Sequence, residues 1–367
     1  MSRGYSRGWL AVALVSSTAL VLGAPFIGQL RTFLRDTFGP SFPLLMAVIV
    51  FGTAVFGFGL ALRRITTRRR HRYAALVAAA SIAVVYALVS RTGNPEVDAV
   101  ERFHFIEYGF LTFLFYKAGR PIDDGSAMVM PVLSAFIVGI LEEWLQWFIP
   151  ARIGEVRDVL LNTIAIGCGL LFCLGLDPPQ RVTWFVSRES RRTVAALLAV
   201  AILVFGAFFH SVHLGHEIAD REAGVFLSRY TADELLALSA ERAKQWRADP
   251  PVTWSRLSRE DQYFSEGVAH VQWRNRQWQG GNVLAARHEN LIVEKYYAPV
   301  LDTPSYVSAT GHRWPDGQRA AAESRPGPGF MIYDSDALPY PLFTWPAWLF
   351  WGVLLTAGAG VLRLVLQ

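Results

Sequence analysis

The fold of this chain is decided by two stretches, ERFHFIEYGFLTFLFYKA at residues 101–118 and EEWLQWFIPARIGEVRDVLLNTIAIGCG at residues 142–169. Both are apolar enough to lie in a membrane, yet both carry ionisable or amide side chains. Such groups are costly in lipid and need either a functional or a structural reason to be there. The polar residues concerned are His104, Glu107, Tyr108, Glu143, Gln146, Arg152, Asp158 and Asn162.

The composition around these stretches indicates an all-α integral membrane protein. Of the 367 residues, 52% are hydrophobic and 18% are charged, and the mean hydropathy is +0.28, which excludes an ordinary soluble protein. A membrane-spanning helix needs about 20 mostly apolar residues. We expect about eight such helices, near 9–28, 43–62, 74–90, 104–119, 128–149, 158–176, 194–213 and 343–362.

Basic residues predict the orientation of these helices. Residues 63–73, RRITTRRRHRY, contain six Arg, and short cytoplasmic loops hold an excess of Arg and Lys. With this loop inside, alternation of the helices places both termini in the cytoplasm and residues 214–342 on the exoplasmic side. We therefore expect a multi-pass protein of a bacterial cytoplasmic membrane. Lipid headgroups at the membrane edges explain the net charge of +5, so we expect no nucleic-acid partner.

This topology gathers the polar residues at one depth. The fourth predicted helix begins outside, the fifth ends outside and the sixth begins outside, so these three ends share the outer membrane boundary. Within each helix the polar residues are three or four positions apart, as His104 is from Glu107 and Tyr108, and this spacing places them on one face.

The pattern resembles the VanZ-like family. That family has a His-x-x-Glu-Tyr helix, then Glu-x-x-Gln, a turn with Pro and Arg, and Asp-x-x-x-Asn followed by glycines. The resemblance covers about residues 40–176 and implies that the eight polar residues named above are the family's shared set, with Gly169 as the later small residue. Ala165 departs from the pattern, which usually has Gly there. The family takes its name from resistance to the glycopeptide teicoplanin, which implies an envelope role but no particular reaction.

Two interpretations of the polar cluster remain open. It can be a site, in which Arg152 binds a lipid-linked headgroup or several side chains bind a divalent cation. It can also be a structural network, in which carboxylates pair with Arg152 and His104 while Asn162 and Gln146 cap or bridge helices. The cation ligands would be Glu107, Glu143, Asp158 and His104. Because we find no convincing nucleophile, we expect that the chain is not an enzyme.

Three histidines, His210, His213 and His216, end the seventh predicted helix and extend just beyond it. On a helix their spacing turns by about 60° per step, so two neighbours can share a ligand more readily than three can. We favour interfacial hydrogen bonding, with a metal or cofactor ligand as the alternative. The favoured function requires no cofactor.

Residues 214–342 are long enough for a small, mainly helical domain. Thr231 and Glu234 form a capping box that opens a helix ending before Pro250. A second helix is predicted at 258–278, and a third begins after Asn282. The third has an apolar face made of Leu284, His288, Leu291, Ile292 and Tyr296.

The end of the chain returns to the membrane. From Pro299 to Pro341 the sequence is rich in Pro and Gly, which predicts an irregular segment without a core of its own. Aromatic residues then suit an anchor at the outer interface; these are Phe343, Trp345, Trp348, Phe350 and Trp351.

The predicted organisation has five parts. They are an N-terminal helix with its outward loop (1–42), the VanZ-like helical domain (43–176), a cytoplasmic loop and the seventh helix (177–213), the exoplasmic domain (214–342) and the C-terminal helix (343–367).

Three functions fit this organisation. We favour a non-catalytic accessory or scaffold subunit of a larger membrane complex, whether photosynthetic, respiratory or envelope-building, with membrane lipids and other membrane protein subunits as partners. The first alternative is a free-standing VanZ-like envelope protein acting on lipid-linked or amphiphilic compounds. The second is a metal-dependent membrane enzyme or a transporter.

Overall fold

The computed structural model describes residues 6–91, 93, 95–120, 122–149, 154–179, 185–245, 261–304, 308, 310–325 and 333–367. These residues form two compact units. The membrane unit comprises Met1–Leu145, Val156–Phe208 and Trp351–Gln367, and the inserted unit comprises Gln146–Glu155 and Phe209–Phe350. The predicted boundary at residue 214 therefore lies close to the division, and the inserted unit also includes the connection after residue 145.

Each of the eight predicted membrane segments overlaps a helix. The first seven helices are α1 (Arg7–Phe38), α2 (Phe42–Arg64), α3 (Arg69–Val89), α4 (Pro95–Gly119), α5 (Ser126–Gln146), α6 (Val156–Leu176) and α7 (Arg188–His213), and the last is α12 (Ala347–Leu366). Seven stretches of the described residues are long and apolar enough to cross a membrane. They are Arg7–Ile27, Leu30–Arg64, Arg69–Val89, Ser126–Gln146, Val156–Leu176, Arg188–His213 and Ala347–Leu366.

These stretches indicate a multi-pass membrane protein. Helix α4 is not among them, since acidic and basic residues such as Asp98, Glu101 and Arg102 occupy its first half. The span at 104–119 therefore stays a prediction.

The predicted outward loop at 29–42 is wrong. Helix α1 continues to Phe38, and a single 3-10 turn at Gly39–Ser41 leads directly into α2. The helix ends where Gly39 adopts a φ of +50°, a conformation that glycine tolerates because it lacks a Cβ. No Pro or Gly between residues 29 and 38 interrupts the helix before that point.

The core of the membrane unit holds α4 against α6. A Cβ atom on Gly169 would lie 2.8 Å from Cα of Gly109, so the two small residues allow a close helix crossing. Around this crossing the buried core includes Tyr108, Leu111, Phe115, Ala135, Val138, Ala165 and Ile166. Ala165, where the resemblance leads one to expect Gly, is fully buried there. The packing thus fixes the faces that carry the polar residues.

The inserted unit begins with a β-hairpin that the sequence analysis missed. Strands β1 (His216–Asp220) and β2 (Gly224–Ser228) pair antiparallel. The carboxylate of Asp220 accepts hydrogen bonds from the backbone N–H groups of Glu222 and Ala223, both at 2.9 Å, and closes the turn. Gly224 has a φ of +109° and lies against Tyr333, where a Cβ would meet the carbonyl oxygen at 2.6 Å.

In the described part of the inserted unit four α-helices follow the hairpin, namely α8 (Ala232–Gln245), α9 (Asp261–Gln279), α10 (Val283–Tyr296) and α11 (Asp316–Glu323). The first three match the predicted helices. Thr231 N–H donates to Glu234 Oε2 at 2.8 Å, and Glu234 N–H donates to Thr231 Oγ1 at 3.3 Å, which confirms the capping box. The hairpin, α8, α9 and α10 share one core, which includes Ile218, Phe226, Leu235, Tyr263, Val268, Ile292, Val293 and Tyr297.

The prediction that residues 299–341 form an irregular segment is wrong in part, since the segment contains a helix and packs on α10. Helix α11 lies within this segment, and Trp314 and Ala322 pack with Val283 and Ala286 of α10. Trp278 meets Trp314 edge-on at 5.5 Å between ring centroids. The sequence did not indicate this packing. The segment is rich in Pro and Gly, and Trp314 and Ala322 are spaced too widely to form a periodic apolar pattern. Residues 305–307, 309 and 326–332 of the segment lie outside the description.

The apolar face predicted for α10 is only partly correct. Ile292 and Tyr296 are buried, but Leu284, His288 and Leu291 are only partly so. The buried face instead includes two polar residues, Glu289 and Asn290. A prediction from hydrophobicity alone placed the buried face of α10 incorrectly, because Glu289 and Asn290 are buried against hydrogen-bond partners inside the inserted unit.

Candidate functional site

The polar residues of α4 lie together as their spacing predicts. Nδ1 of His104 is 3.8 Å from Oε2 of Glu107. The His104 ring stacks on Tyr108, with 6.1 Å between the ring centroids and 15° between the planes. Tyr108 itself has no exposed surface. One face of α4 therefore presents a buried phenol with an imidazole and a carboxylate beside it.

Helix α5 contributes a carboxylate that the sequence analysis did not single out. The Tyr108 hydroxyl donates to Oε2 of Glu142 at 3.0 Å. Glu142 and Glu143 are 3% and 0% exposed, and Tyr108 also interacts electrostatically with Glu143 and Glu107. The adjacent pair Glu142 and Glu143 was a readable signal, but the family pattern draws attention to Glu143 alone. Three carboxylates thus surround one phenol.

Helix α6 brings Asn162 to the same place. A Cβ atom added to Gly139 on α5 would lie 3.2 Å from Cε1 of Tyr108 and 3.6 Å from Nδ2 of Asn162. Gly139 therefore leaves room for both the ring and the amide. Since Glu142 and Glu143 follow Gly139 by three and four residues, they occupy the same face of α5. The Asn162 amide therefore lies beside a position on α5 that precedes both glutamates by about one helical turn.

The side-chain amide of Asn162 is buried and has no hydrogen-bond partner among the described residues. The residue is 1% exposed, and neither Oδ1 nor Nδ2 has a hydrogen-bond partner among the residues that the structure describes. A buried polar group left unsatisfied costs about 1–3 kcal/mol. The structural interpretation required Asn162 to cap or bridge helices, and its side chain makes neither kind of hydrogen bond in the described part of the chain.

The remaining predicted residues of the cluster have different positions. Gln146 is buried at the end of α5 and belongs to the inserted unit. Asp158 lies in the first turn of α6, partly buried, and interacts electrostatically with Tyr86 of α3. Arg152 lies outside the described residues. No group of three or more His, Cys, Asp or Glu within the described ranges has a geometry that could hold a metal ion, so the cation interpretation gains no support.

The three histidines do not share a helix. His210 and His213 end α7, whereas His216 is exposed in β1. His213 has no exposed surface, its Nδ1 donates to the carbonyl of Pro341 at 2.8 Å, and its ring meets Phe209 at 5.3 Å. These contacts give His213 a structural role within the inserted unit.

The predicted interface aromatics separate into two groups. Phe343, Trp345 and Trp348 are 39%, 55% and 76% exposed, as an anchor requires. Phe350 is buried and stacks on Phe209 with 5.2 Å between centroids, which corrects its assignment as an interface residue. Trp351 packs closely against Gly206 of α7. An aromatic pattern by itself does not reveal which rings have helix neighbours.

A second buried polar group, in the inserted unit, was missed entirely. Helix α9 carries Gln262, Glu266, His270 and Arg274 at four-residue intervals, and all four are at most 1% exposed. This spacing is visible in the sequence and would have indicated a polar stripe on one helical face. Its burial was not visible, because polar stripes normally face solvent.

Hydroxyl groups satisfy the carboxylates of this stripe and its neighbour on α10. Glu266 accepts from Ser228 Oγ at 2.6 Å, Tyr297 at 2.9 Å, Tyr340 at 3.0 Å and the N–H of Arg229 at 3.0 Å. Burial nevertheless raises the pKa of Glu266.

Glu289 on α10 contacts Nδ1 of His270 at 2.7 Å and accepts from the hydroxyls of Tyr333 and Ser335. The polar stripe therefore holds the segment around residues 333–340 to α9 and α10.

Arg274 completes the stripe with neutral acceptors. It donates to Asn290 Oδ1 and to the carbonyl of His312, both at 2.9 Å, and its guanidinium lies over the ring of Trp314 at 5.6 Å. Burial lowers the pKa of Arg274 to about 10. Like Glu266, it fastens a segment without regular structure to α9.

One comparison with known proteins gives a family match. Residues 42–177 match the model of a family described as VanZ/LLP1, which confirms the predicted resemblance. The match covers less than half of the chain and includes helices α2 to α6, which carry Tyr108, Glu142, Glu143 and Asn162. No curated protein and no solved structure matches the chain significantly.

Proposed function

We propose that the segment matching the VanZ/LLP1 family binds the polar part of a lipid-linked or amphiphilic envelope compound. Asn162 carries this proposal. A network that only joins helices satisfies its buried amides, but the amide of Asn162 has unused donor and acceptor capacity within the described residues. A ligand can supply what the described side chains do not.

The geometry favours a ligand group that both donates and accepts hydrogen bonds. The amide of Asn162 offers an acceptor at Oδ1 and two donors at Nδ2, which match the hydroxyl and amide groups of a sugar or peptide headgroup. Tyr108 and Glu142, joined at 3.0 Å, form a fixed neighbour that orients this group. Such a site acts by binding, and no covalent step is proposed.

Glycopeptide susceptibility tests this proposal. The full-length protein is expressed in a teicoplanin-susceptible host, and the inhibitory concentration is compared for the wild type, Asn162→Leu and Glu143→Gln. We expect both variants to lose the change in susceptibility that the wild type confers. Asn162→Leu should keep or raise the melting temperature in detergent, because it removes an unsatisfied buried amide.

Ser17→Ala is the matched control. Ser17 is also a buried polar residue of the membrane unit, but its hydroxyl donates to the carbonyl of Ala13 at 2.7 Å. This variant should behave as the wild type does. A wild type that leaves susceptibility unchanged, or an Asn162→Leu variant that retains the full effect, would refute the binding role.

The accessory-subunit hypothesis stays a prediction. It requires stable association with other membrane proteins, and the family match by itself does not supply such a partner. Purification in a mild detergent tests it without crosslinking, by the mass of the solubilised particle. A tagged full-length protein that runs alone would exclude it.

A further inference from the structure

The connection between α2 and α3 forms an exposed basic surface. We call Arg63, Arg64, Arg68, Arg69 and Arg70 the basic turn, and all five are exposed. The sequence contains no Asp or Glu between Asp36 and Glu96. Four of the five arginines, all except Arg68, form no ion pair or hydrogen bond through their side chains with any residue that the structure describes. Arg68 donates to the carbonyl of Pro179 at 3.3 Å.

The sixth arginine of residues 63–73, Arg72, has a structural role and differs in this from the basic turn. Arg72 is 7% exposed, and its guanidinium donates to the carbonyls of Gly175 at 2.7 Å and Leu176 at 2.6 Å. It thereby fastens the start of α3 to the end of α6. The fold uses Arg72 in this way and leaves most of the basic turn facing outward.

The backbone at the start of α3 adds to the positive charge. Arg68 has a φ of +49° and is the one non-glycine residue with a positive φ in the described ranges. No side chain caps the helix, and its first turn contains no acidic residue. A helix N-terminus carries partial positive charge, so arginines beside it repel that end unless an anion is present. A left-handed residue followed by right-handed helical ones also turns successive N–H groups toward one side.

The location identifies the anion. Helix α2 ends the candidate span Leu30–Arg64, and α3 forms the candidate span Arg69–Val89. The basic turn therefore lies at a membrane boundary, at the depth of lipid phosphates, where clustered arginines attract anionic lipid. We propose that the basic turn binds the phosphate groups of anionic phospholipids in the leaflet that it faces. This surface is independent of the site around Asn162.

Nanodiscs of defined composition test the proposal with the full-length protein. The melting temperature is measured in phosphatidylcholine alone and in phosphatidylcholine with phosphatidylglycerol. We expect phosphatidylglycerol to raise the melting temperature of the wild type at low salt, and high salt to reduce this rise because it screens exposed charges. Native mass spectrometry should show retained phosphatidylglycerol.

The variant carrying Arg63→Gln, Arg64→Gln, Arg69→Gln and Arg70→Gln should lose the rise. Arg35→Gln is the matched control, because Arg35 is also an exposed arginine near a helix end but lies 3.5 Å from Asp36; it should keep the rise. If the fourfold variant does not insert, the pair Arg69→Gln and Arg70→Gln should still reduce the rise, and the fourfold change to Lys should retain most of it.

Several outcomes would overturn the proposal. They are an equal rise in the wild type and the Gln variants, a rise that salt does not reduce, or no rise in the wild type. If inorganic phosphate added to phosphatidylcholine nanodiscs reproduced the rise, the surface would bind free phosphate and the lipid assignment would be wrong.

Discussion

Asn162 in the membrane unit and Glu266 in the inserted unit are equally buried, each 1% exposed, but their surroundings differ completely. Glu266 accepts hydrogen bonds from four donors, which lie at the end of β2, just after it, just after α10 and in the segment before α12. The side chain of Asn162 has no partner among the described residues. Burial of a polar group thus does not by itself mark a binding site. Whether the surrounding side chains satisfy the group separates a structural role from a functional one.

The largest effect should come from Glu266→Ala. The change leaves three buried hydroxyls and one partly buried N–H without their acceptor. We expect a loss of about 4 kcal/mol in the stability of the inserted unit. Hydrogen exchange of the α9 and α10 amides in the full-length protein measures this loss. Glu234→Ala is the control, since Glu234 is exposed and its hydrogen bonds are those of the capping box. It should cost about 1 kcal/mol. Equal exchange in the two variants would show that the Glu266 network is not structural.

A smaller effect is expected from Tyr108→Phe in the membrane unit. The variant loses one hydrogen bond to a carboxylate, that of Glu142, and should lose about 2 kcal/mol. Tyr116→Phe is the comparison, because the Tyr116 hydroxyl donates to the neutral carbonyl of Asp177 at 2.7 Å and should lose about 1 kcal/mol. Thermal unfolding in detergent measures which of the two variants loses more stability. A Tyr108→Phe variant as stable as the wild type would mean that the pair with Glu142 does not join α4 to α5.

The smallest effect concerns the pH dependence of the inserted unit. Burial alone would raise the pKa of Asp220, but bonds from Lys295, from the backbone of Ala223 and Glu222, and from Tyr296 outweigh it and lower the pKa. Because the folded pKa is depressed, Asp220 contributes stability above its unfolded pKa of about 3.9, and this contribution is lost as the pH falls toward the folded value.

Glu266 has the opposite sign. Burial raises its pKa in the folded protein, so its contribution to stability is fully present below the unfolded value of about 4.3 and is lost as the pH rises through the folded value.

The test concerns Asp220. Hydrogen exchange between about pH 3 and pH 8 should show that Asp220→Asn flattens the acid side of the profile of stability against pH. Asp233→Asn, at an exposed position on α8, should leave the profile unchanged. An unaltered acid side in the Asp220 variant would contradict the assignment.

Part of the fold could be predicted because local patterns specify it. The apolar segments became helices, although α1 extends to Phe38 and α4 begins already at Pro95. The capping box at Thr231 opened α8 as expected. The hairpin at His216–Ser228 was missed, since its strands are only five residues each and its turn depends on the side chain of Asp220. Helix α11 was missed because its anchors, Trp314 and Ala322, gain their meaning only from contact with α10.

The candidate site was predicted in part. Spacing correctly placed His104, Glu107 and Tyr108 on one face. The wider set of shared polar residues stays a prediction. Glu142 was missed because the family pattern draws attention to Glu143, and only the position of α4 shows that the Tyr108 hydroxyl reaches Glu142. Nothing in the sequence distinguished the unsatisfied Asn162 from the well-satisfied Glu266.

The sequence by itself determined the apolar helices, the membrane class, the family resemblance and the basic turn, because hydropathy, charge and short motifs act within single segments. The tertiary structure decided which polar side chains are satisfied. That depends on close helix crossings such as Gly109 with Gly169, and on hydroxyl groups that approach from residues far away in the chain. Hydrogen bonds require atoms within about 3 Å of each other, and only the folded chain sets those distances.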